Sequence, residues 1–254
     1  MRPYATAHNV GGRPVQCDAA AVRTAPGGTR SFVLLDGIGS SQDVRNWTRH
    51  TAVRLARAAA RRGDAETALR ALYEKFASDP DRQDPELRRY LPKAAAVVAV
   101  HTPGEPLTLA WCGDSRAYLL ERGIARRLTE DHNRRRVFPP TAIFPDGGNR
   151  NLITSCLGAA DTDRDVMNRY NHPAIEATTA EITAACRLVL ASDGAYEPHE
   201  DAGHDLFAEL DDEPLTTTVR SFVDVAVDTA RAKLPADEHR YVDNATALVA
   251  DITP

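Results

Sequence analysis

Three aspartates in this sequence stand at the ends of short apolar runs. Asp36 follows the run at residues 32–35, Asp193 comes just after the run at 188–191, and Asp243 precedes the run at 245–252. A carboxylate at the end of a buried strand is costly to desolvate unless a positive group meets it. If these strand ends lie together, the carboxylates raise one another's pKa unless divalent cations neutralise them.

The chemistry that such a cluster supports is metal-assisted attack on a phosphoryl group. Ligand sets made only of oxygen favour Mg²⁺ or Mn²⁺ over zinc. Two such ions can hold a bridging hydroxide and polarise a phosphoryl group for in-line attack. The backbone carbonyl of Gly37, next to Asp36, is a further candidate ligand. An Asp-Gly pair after a strand is also an ordinary turn, so the hypothesis depends on the recurrence of this pair at Asp193-Gly194.

Composition and charge exclude several other classes of protein. An apolar fraction of 43% and a charged fraction of 26% are typical of a soluble globular protein, and the net charge of -5 argues against nucleic acid as the main partner. No apolar segment is long enough to span a membrane, and the first eight residues lack the apolar core of a secretory signal. The cysteines are too widely spaced for a zinc site or a disulfide framework, so we expect reduced thiols and a cytoplasmic protein. They are Cys17, Cys112, Cys156 and Cys186.

The elements that must position these aspartates can be predicted from apolar periodicity and turn signals. We expect one domain of α+β type over residues 1–254, with antiparallel sheets because consecutive short strands are joined by turns. A long helix should begin after Ser40 or Ser41 and end at Gly63, and Asp64 should cap the next helix. Strands are expected at 15–22, 32–35, 94–101, 107–112, 116–120, 188–191 and 245–252, and a further helix at 216–234. The stretch at 130–151 should be irregular.

Short motifs recur in a fixed order along nearly the whole chain. The first is Arg13 five residues before Asp18, and the second is Asp36-Gly37-Ile38-Gly39. The others are Cys112-Gly113-Asp114-Ser115-Arg116-Ala117-Tyr118-Leu119, Leu128-Thr129-Glu130-Asp131-His132-Asn133, Asn151-Leu152-Ile153-Thr154, Leu157-Gly158, Ser192-Asp193-Gly194 and Asp243-Asn244-Ala245-Thr246. The ordered set resembles the metal-dependent serine/threonine protein phosphatases of the protein phosphatase 2C type.

The resemblance implies a fold and a set of metal ligands. The fold would be a four-layer α-β-β-α sandwich with two central antiparallel sheets and the metals at one end. Asp36 would bridge two tightly bound Mg²⁺ or Mn²⁺ ions. The other implied ligands are Asp18 and the Gly37 carbonyl on one ion, and Asp193 and Asp243 on the other.

The resemblance also implies a reaction and its partners. Asp114 would help Asp193 to bind a weaker third ion, and Arg13 would hold the substrate phosphate, since a planar guanidinium suits two phosphate oxygens. The reaction would be hydrolysis of phosphoserine or phosphothreonine in proteins by a metal-bridging hydroxide, without a phosphoenzyme intermediate. The implied partners are phosphorylated proteins, a serine/threonine kinase or its targets, and we expect a monomer. The implied catalytic residues are Asp36, Asp114, Asp193 and Asp243.

The sequence departs from the family pattern at three places. Cys17 stands where many relatives carry a glutamate or another polar residue, Ser40-Ser41 replaces the usual glycine and histidine, and the flap at about 131–151 is short. These departures keep two alternatives open. One is a weakly active or inactive protein of this fold that binds phosphoproteins or regulatory partners. The other is an enzyme with a small phosphorylated substrate.

Histidines and a basic run outside the aspartate pattern have further interpretations. Arg134-Arg135-Arg136 in the flap could attract acidic phosphopeptides or could be a solvated loop. His132 could be a buried hydrogen-bonding residue or a catalytic one. His199-Glu200 with His204 is similar to a helical zinc motif, but the spacing is one residue too long and Gly203 disfavours a helix there, so no zinc site is predicted.

Overall fold

The computed structural model describes residues 3–211 and 214–254. Short 3-10 segments cover Leu87–Arg89 and Ala236–Tyr241. The strands are β1 (Tyr4–Asn9), β2 (Ala19–Thr24), β3 (Arg30–Gly37), β4 (Ala94–His101), β5 (Leu107–Cys112), β6 (Arg116–Glu121), β7 (Ile124–Arg127), β8 (Glu176–Ala180), β9 (Cys186–Ala191) and β10 (Ala245–Ile252). The helices are α1 (Gln42–Arg62), α2 (Ala65–Ala77), α3 (Pro80–Gln83), α4 (Arg134–Val137), α5 (Asp163–Tyr170), α6 (Asp193–Ala202), α7 (Leu206–Leu210) and α8 (Leu215–Ala232).

Within these residues the strands form two five-stranded sheets. Sheet A has the order β1-β10-β9-β6-β7, sheet B has the order β2-β3-β4-β5-β8, and every neighbouring pair is antiparallel. Helices α1 and α2 pack on sheet B, and α6 and α8 pack on sheet A. The predicted α+β fold with two central antiparallel sheets is therefore confirmed. None of the described helices is both long and apolar enough to cross a bilayer.

Three apolar layers hold the sandwich together. Alternate residues of a strand point to opposite faces of its sheet, so β3 contributes Phe32 and Leu34 to the layer between the sheets and Val33 and Leu35 to the layer under α1. Leu55 of α1 is fully buried in that second layer. The third layer lies between sheet A and its helices. Because both faces of sheet B are covered, β3 is apolar without a break from Phe32 to Leu35, and Asp36 is the first carboxylate after that run.

Several boundaries agree closely with the prediction from sequence. Helix α1 begins after Ser41, whose side chain accepts a hydrogen bond from the Val44 N–H at 3.3 Å, and it ends at Gly63. Asp64 caps α2 by accepting from the Thr67 N–H at 2.7 Å. Strands β4, β5 and β10 have the predicted bounds. The flap is irregular, as expected, apart from the single turn of α4.

The predicted strand at 15–22 is wrong in its first half, because β2 begins only at Ala19. The reason is that side chains replace the strand ladder in the preceding residues. The Cys17 N–H donates to Asn244 Oδ1 at 2.7 Å, and the Asp18 N–H donates to Gln16 Oε1 at 3.0 Å. Asp18 therefore stands before the strand and not within it. Strands β1, β7 and β8 and helices α3, α5, α6 and α7 were not predicted.

Candidate functional site

One end of the sandwich carries a cleft of about 610 Å³ that collects the sequence-predicted residues. The last residues of β3, the turn between β5 and β6, and the facing ends of β9 and β10 all contribute to it. Its lining includes Arg13, Asp36, Gly37, Asp114, Asp193 and Asp243. Asp18 does not line the cleft, but its charge acts on Asp36 and it contacts Ser192, the residue before Asp193. The strand ends do lie together, as the argument from the three aspartates requires.

Asp36 and Gly37 are placed by the last two pairs of the β3–β4 ladder, opposite Ala95 and Ala94. A glycine is required at position 37, because a Cβ atom there would overlap the Cys17 carbonyl. This close approach brings the segment that carries Asp18 against the end of β3. Burial, and then repulsion by Asp18 and the other site aspartates, holds the pKa of Asp36 well above its ordinary value.

Asp193 is the first residue of α6, and Asp243 stands just before β10. Each carboxylate accepts the N–H of the following residue, Asp193 from Gly194 at 2.6 Å and Asp243 from Asn244 at 2.8 Å. These local bonds fix the side chains toward the cleft. Burial and the neighbouring charge of Asp243 raise the pKa of Asp193.

Two short links join the ends of β9 and β10. The Thr246 N–H donates to Ser192 Oγ at 2.9 Å, and the Ser192 N–H donates to the Thr246 carbonyl at 3.0 Å. Asn244 extends this connection to the N-terminal segment. Its Oδ1 accepts from the Cys17 N–H, and its Nδ2 donates to the Val10 carbonyl at 2.9 Å. The aspartates from the two ends of the chain are thereby held in one rigid arrangement.

Asp18 is the most deeply buried of these acids, with 5% of its surface exposed. The Ser192 hydroxyl donates to its Oδ2 at 3.2 Å, whereas its Oδ1 is buried without a hydrogen-bond partner among the described residues. Burial raises the pKa of Asp18 to about 7, and hydrogen bonds from Thr246 and Ser192 only partly offset that effect. A buried carboxylate oxygen without a partner is a vacant acceptor of the kind that a cation satisfies.

Asp114 lies in the turn between β5 and β6 and is 8% exposed. The Tyr196 hydroxyl donates to its backbone carbonyl at 3.0 Å, which ties the turn to α6. Burial, followed by the charge of Asp193, raises the pKa of Asp114 well above its ordinary value.

The charges of the aspartate cluster do not balance. Five carboxylates meet here, those of Asp18, Asp36, Asp114, Asp193 and Asp243. Among the described residues, Arg13 is the one basic side chain within ion-pair distance of any of them, with its Nη2 at 3.0 Å from Asp243 Oδ2. Oxygen ligands with this excess of negative charge fit hard divalent cations such as Mg²⁺ or Mn²⁺.

Arg13 and three charged residues that sequence reasoning missed form part of the cleft wall. Arg13, predicted to hold a phosphate, is about one-third exposed and is paired with Asp243. Arg150 donates to both carboxylate oxygens of Asp201 at 2.9 and 2.7 Å and lies 3.2 Å from Glu197. Burial, followed by the charge of Asp193, raises the pKa of Glu197 to about 7. These residues belong to no motif in the sequence, so only the fold identifies them.

The surroundings of His132 indicate a structural role. It is fully buried, accepts from the Gly113 N–H through Nδ1 at 3.4 Å, and contacts Glu176 through Nε2 at 3.0 Å. Arg136 of the flap run holds the same Glu176 with two nitrogens, at 2.7 and 2.8 Å. At least this arginine of the basic run therefore serves the internal packing of the flap and is not a free docking residue.

The surroundings of Cys17 also indicate a structural role. It is fully buried, and its thiol donates to the Ser41 carbonyl at 3.6 Å. Burial, and then the charges of Asp18 and Asp243, raises the pKa of the thiol. A thiol held in its neutral form is neither a nucleophile nor a good metal ligand.

The part of the chain that holds Asp36, Gly37 and Asp114 matches a known family. A family model described as Protein phosphatase 2C covers residues 30–136. The resemblance predicted from the motifs is confirmed by this match. No curated protein sequence matches the chain significantly.

Solved structures of bacterial proteins, two of them described as serine/threonine phosphatases, have the same fold over nearly the whole chain. The serine/threonine phosphatase of S. agalactiae has a TM-score of 0.69 at 19% identity, covering 97% of this chain and 98% of that one. The PPM Ser-Thr phosphatase MsPP from Mycobacterium smegmatis, in complex with cacodylate, has a TM-score of 0.66 at 20% identity, with coverages of 98% and 97%. PppA of Pseudomonas aeruginosa, described as a key regulatory component of T6SS, has a TM-score of 0.65 at 20% identity and the same coverages. At these identities the similarity shows the fold.

Proposed function

We propose that this protein is a metal-dependent phosphatase that hydrolyses phosphoserine or phosphothreonine in proteins. The observation that carries the proposal is the cluster of five aspartates at the cleft, for which Arg13 is the one basic side chain within ion-pair distance among the described residues. Such a cluster is stable at neutral pH only if cations enter it or protons remain on it. The match to the protein phosphatase 2C model and the shared fold support the same reaction class.

The chain offers enough oxygen ligands for two tightly bound ions and a weaker third. The ions, Mg²⁺ or Mn²⁺, would supply Lewis-acid activation of a water and of the phosphoryl oxygens. Asp36 lies nearest the centre of the set, since the charges of all four other aspartates act on it. The ligands would be Asp18, Asp36 and the Gly37 carbonyl for one ion, Asp36, Asp193 and Asp243 for the second, and Asp114 with Asp193 for the third.

Arg13 would bind the substrate phosphate and would have to change partner to do so. Its Nη2 is held by Asp243 Oδ2 at 3.0 Å. A cation bound by Asp243 would share the charge of that carboxylate and would weaken the ion pair. The guanidinium, which is one-third exposed at the cleft wall, can then present two N–H groups to two phosphate oxygens.

One side of the cleft rim carries two basic side chains that a phosphorylated substrate could contact. Arg150 and Lys233 both line it, on the side formed by α6 and the end of α8. Asp201 contacts both of them, at 2.7 Å from Arg150 and at 3.9 Å from Lys233. This side therefore offers basic groups that are oriented by a carboxylate and remain partly exposed.

The test of the proposed function is hydrolysis of an aryl phosphate and of a phosphothreonine peptide with Mn²⁺, Mg²⁺ or a chelator. We expect turnover of both substrates with metal and none with the chelator. Asp36→Asn should abolish turnover, whereas Asp146→Asn, an exposed flap position, should not change it. If no metal supports turnover of either substrate, the proposed activity is wrong.

A second candidate is a phosphoprotein-binding protein of the same fold with little turnover. The observation that favours it is the Arg13–Asp243 ion pair. In this pair the residue proposed to bind the phosphate contacts a residue proposed to bind a metal ion, so neither is free for its catalytic role. Binding of a phosphopeptide, measured by fluorescence anisotropy, without hydrolysis under any metal condition would establish this function instead.

The cellular setting is also part of the proposal. All four cysteines are free thiols, which supports a reducing compartment, and we assign the protein to the cytoplasm. Its partners would be phosphorylated proteins, either a serine/threonine kinase or the targets of one. We expect a monomer, which light scattering coupled to gel filtration tests directly.

A further inference from the structure

Three side chains of the kind that bind metals meet near the C-terminal end of α6, away from the cleft. They are His199, His204 and Glu209, and one ligand atom of each lies within 4.8 Å of the others. Asp193, at the start of the same helix, is six residues from His199, which is about 9 Å along a helix axis. The cluster is therefore separate from the carboxylate site.

A left-handed turn creates this meeting. Gly203 ends α6 with φ of 74°, a conformation that glycine adopts without strain. The chain reverses there, and His204 lies over His199 with their Nδ1 atoms 2.9 Å apart. The spacing of five residues argues against a zinc motif on a continuous helix, but this argument does not apply once the helix ends at the intervening glycine.

The hydrogen bonds of His199 determine which of its nitrogens is free. Its Nε2 lies 2.9 Å from the Phe222 carbonyl, which can only accept, so Nε2 carries the proton and Nδ1 presents a lone pair. The ring is fully buried and stacked on the Phe222 ring at 4.3 Å. A ring held by a backbone carbonyl on one nitrogen, with the other nitrogen aimed at a cluster, is the usual arrangement of a metal-binding histidine.

Glu209 completes the set from α7. Asp205 begins this helix by accepting the Phe207 N–H on Oδ1 at 3.0 Å, and its carbonyl accepts the Glu209 N–H at 3.0 Å. This turn directs the Glu209 carboxylate toward the two imidazoles. Glu209 and His204 are both half-buried, so an ion can reach them from solvent.

We propose that His199 Nδ1, His204 Nδ1 and the Glu209 carboxylate bind a zinc ion. Two imidazoles and one carboxylate are a common three-ligand set for Zn²⁺, with the fourth position left to water. A hard ion such as Mg²⁺ prefers oxygen ligands and is not expected to compete here. The ion would fasten α7 to the end of α6, the helix that begins with Asp193.

The competing arrangement is a simple hydrogen bond in which His204 Nδ1–H donates to His199 Nδ1. The separation of 2.9 Å suits that bond. Two nitrogens at Zn–N distances of 2.0–2.1 Å in a tetrahedral site stand about 3.3 Å apart. Zinc binding therefore requires the pair to open by a few tenths of an ångström, which a half-buried residue next to a glycine can provide. In the hydrogen-bonded arrangement His204 Nδ1 carries a proton. In the zinc site the same nitrogen has no proton and binds the metal.

The test uses Co²⁺ as a spectroscopic substitute for zinc, in the full-length protein with excess Mg²⁺. Tetrahedral Co²⁺ absorbs far more strongly in the visible range than six-coordinate Co²⁺, so this band reports the histidine site and not the carboxylate cleft. We expect one equivalent of strongly absorbing Co²⁺, displaced by Zn²⁺. His204→Ala should abolish the band, Glu209→Gln should weaken the affinity by about 10-fold or more, and exposed His8→Ala should leave both unchanged.

Two further measurements keep the result independent of folding and of the proposed activity. Melts without metal show whether His204→Ala is folded, and Zn²⁺ added over saturating Mg²⁺ should raise the Tm of the wild type more than that of this variant, which keeps the carboxylate cleft. The band should persist in Asp36→Asn, which removes a cleft ligand only. A wild-type protein without the band, or a folded His204→Ala variant that keeps it, overturns the proposal.

Discussion

The buried carboxylate of Asp18 should make the metal-free protein less stable as the pH rises. Its pKa is about 7 in the folded protein against an ordinary value of 3.8, so the folded state holds its proton more tightly than the unfolded state. At pH values below the ordinary pKa, Asp18 therefore does not affect the free energy of unfolding. As the pH rises from there to the folded pKa, Asp18 lowers the free energy of unfolding progressively. A gap of about three pH units corresponds to at most about 4 kcal/mol at pH 8.

Asp18→Asn should remove most of this penalty, since an amide carries no charge. The new NH₂ group can take the place of Oδ1, which has no hydrogen-bond partner among the described residues, and an unsatisfied donor costs about 1–3 kcal/mol. We expect a net stabilisation of about 2 kcal/mol at pH 8 in chelator. In a chain of this size that corresponds to a rise in Tm of about 4–8 °C.

The assay is thermal and urea unfolding of both proteins in chelator from pH 5 to pH 9. The wild type should lose stability across this range, and Asp18→Asn should lose less. With Mg²⁺ or Mn²⁺ added, the order should reverse, since the wild type gains a bound ion and the variant lacks a ligand. Asp146→Asn, at an exposed position, is the matched control. If Asp18→Asn is no more stable than the wild type at pH 8 in chelator, the charge of Asp18 is not the source of the instability.

Three further predictions concern turnover. Asp36→Asn should lower kcat by orders of magnitude with the fold intact, because Asp36 is the carboxylate on which the charges of all four other site aspartates act and would be a ligand of both tightly bound ions; retention of more than about a tenth of the activity contradicts the assignment. Arg13→Ala should raise KM more than it lowers kcat, since a phosphate anchor acts in ground and transition states alike; an unchanged KM with a collapsed kcat assigns Arg13 to the transition state. Asp114 would help to hold a third ion that activates a water for protonation of the leaving group, or it could simply cap its own turn. In the first case Asp114→Ala should reduce kcat on an alkyl phosphopeptide far more than on an aryl phosphate, whose leaving group scarcely needs a proton. Equal losses on the two substrates argue against proton delivery, and a lower Tm without loss of turnover indicates a turn-capping role.

The sequence predicts best those elements whose ends have local signals. Helix α1 has a serine cap, an apolar stripe and a terminal glycine, and its predicted bounds hold to the residue. Strand β1 has no such signal, because its stability comes from pairing with β10 at the other end of the chain. Helix α6 was missed because Asp193-Gly194 is typical of a turn and Pro198 disfavours a helix interior.

The residues of the functional site were likewise predicted where the sequence carries a local signal and missed where it does not. Asp36, Asp193 and Asp243 were found because each stands next to an apolar run, and Asp18 and Asp114 were found through the motifs that resemble the phosphatase family. Arg150 and Glu197 were missed, since a loop and the middle of an unpredicted helix bring them to the cleft. His199 and His204 meet because Gly203 adopts a left-handed backbone conformation. A spacing rule that assumes a continuous helix cannot predict this contact.

The links made by Asn244 have a consequence for the order of assembly during synthesis. Asn244 holds Val10 and Cys17, near the start of the chain, beside Asp243 near its end, and β1 pairs with β10 throughout its length. A ribosome-bound chain that has not yet released β10 can place Asp36 on the β3–β4 ladder, but it lacks Asp243 and the Asn244 links to Val10 and Cys17. The complete set of aspartates is therefore assembled only when β10 docks.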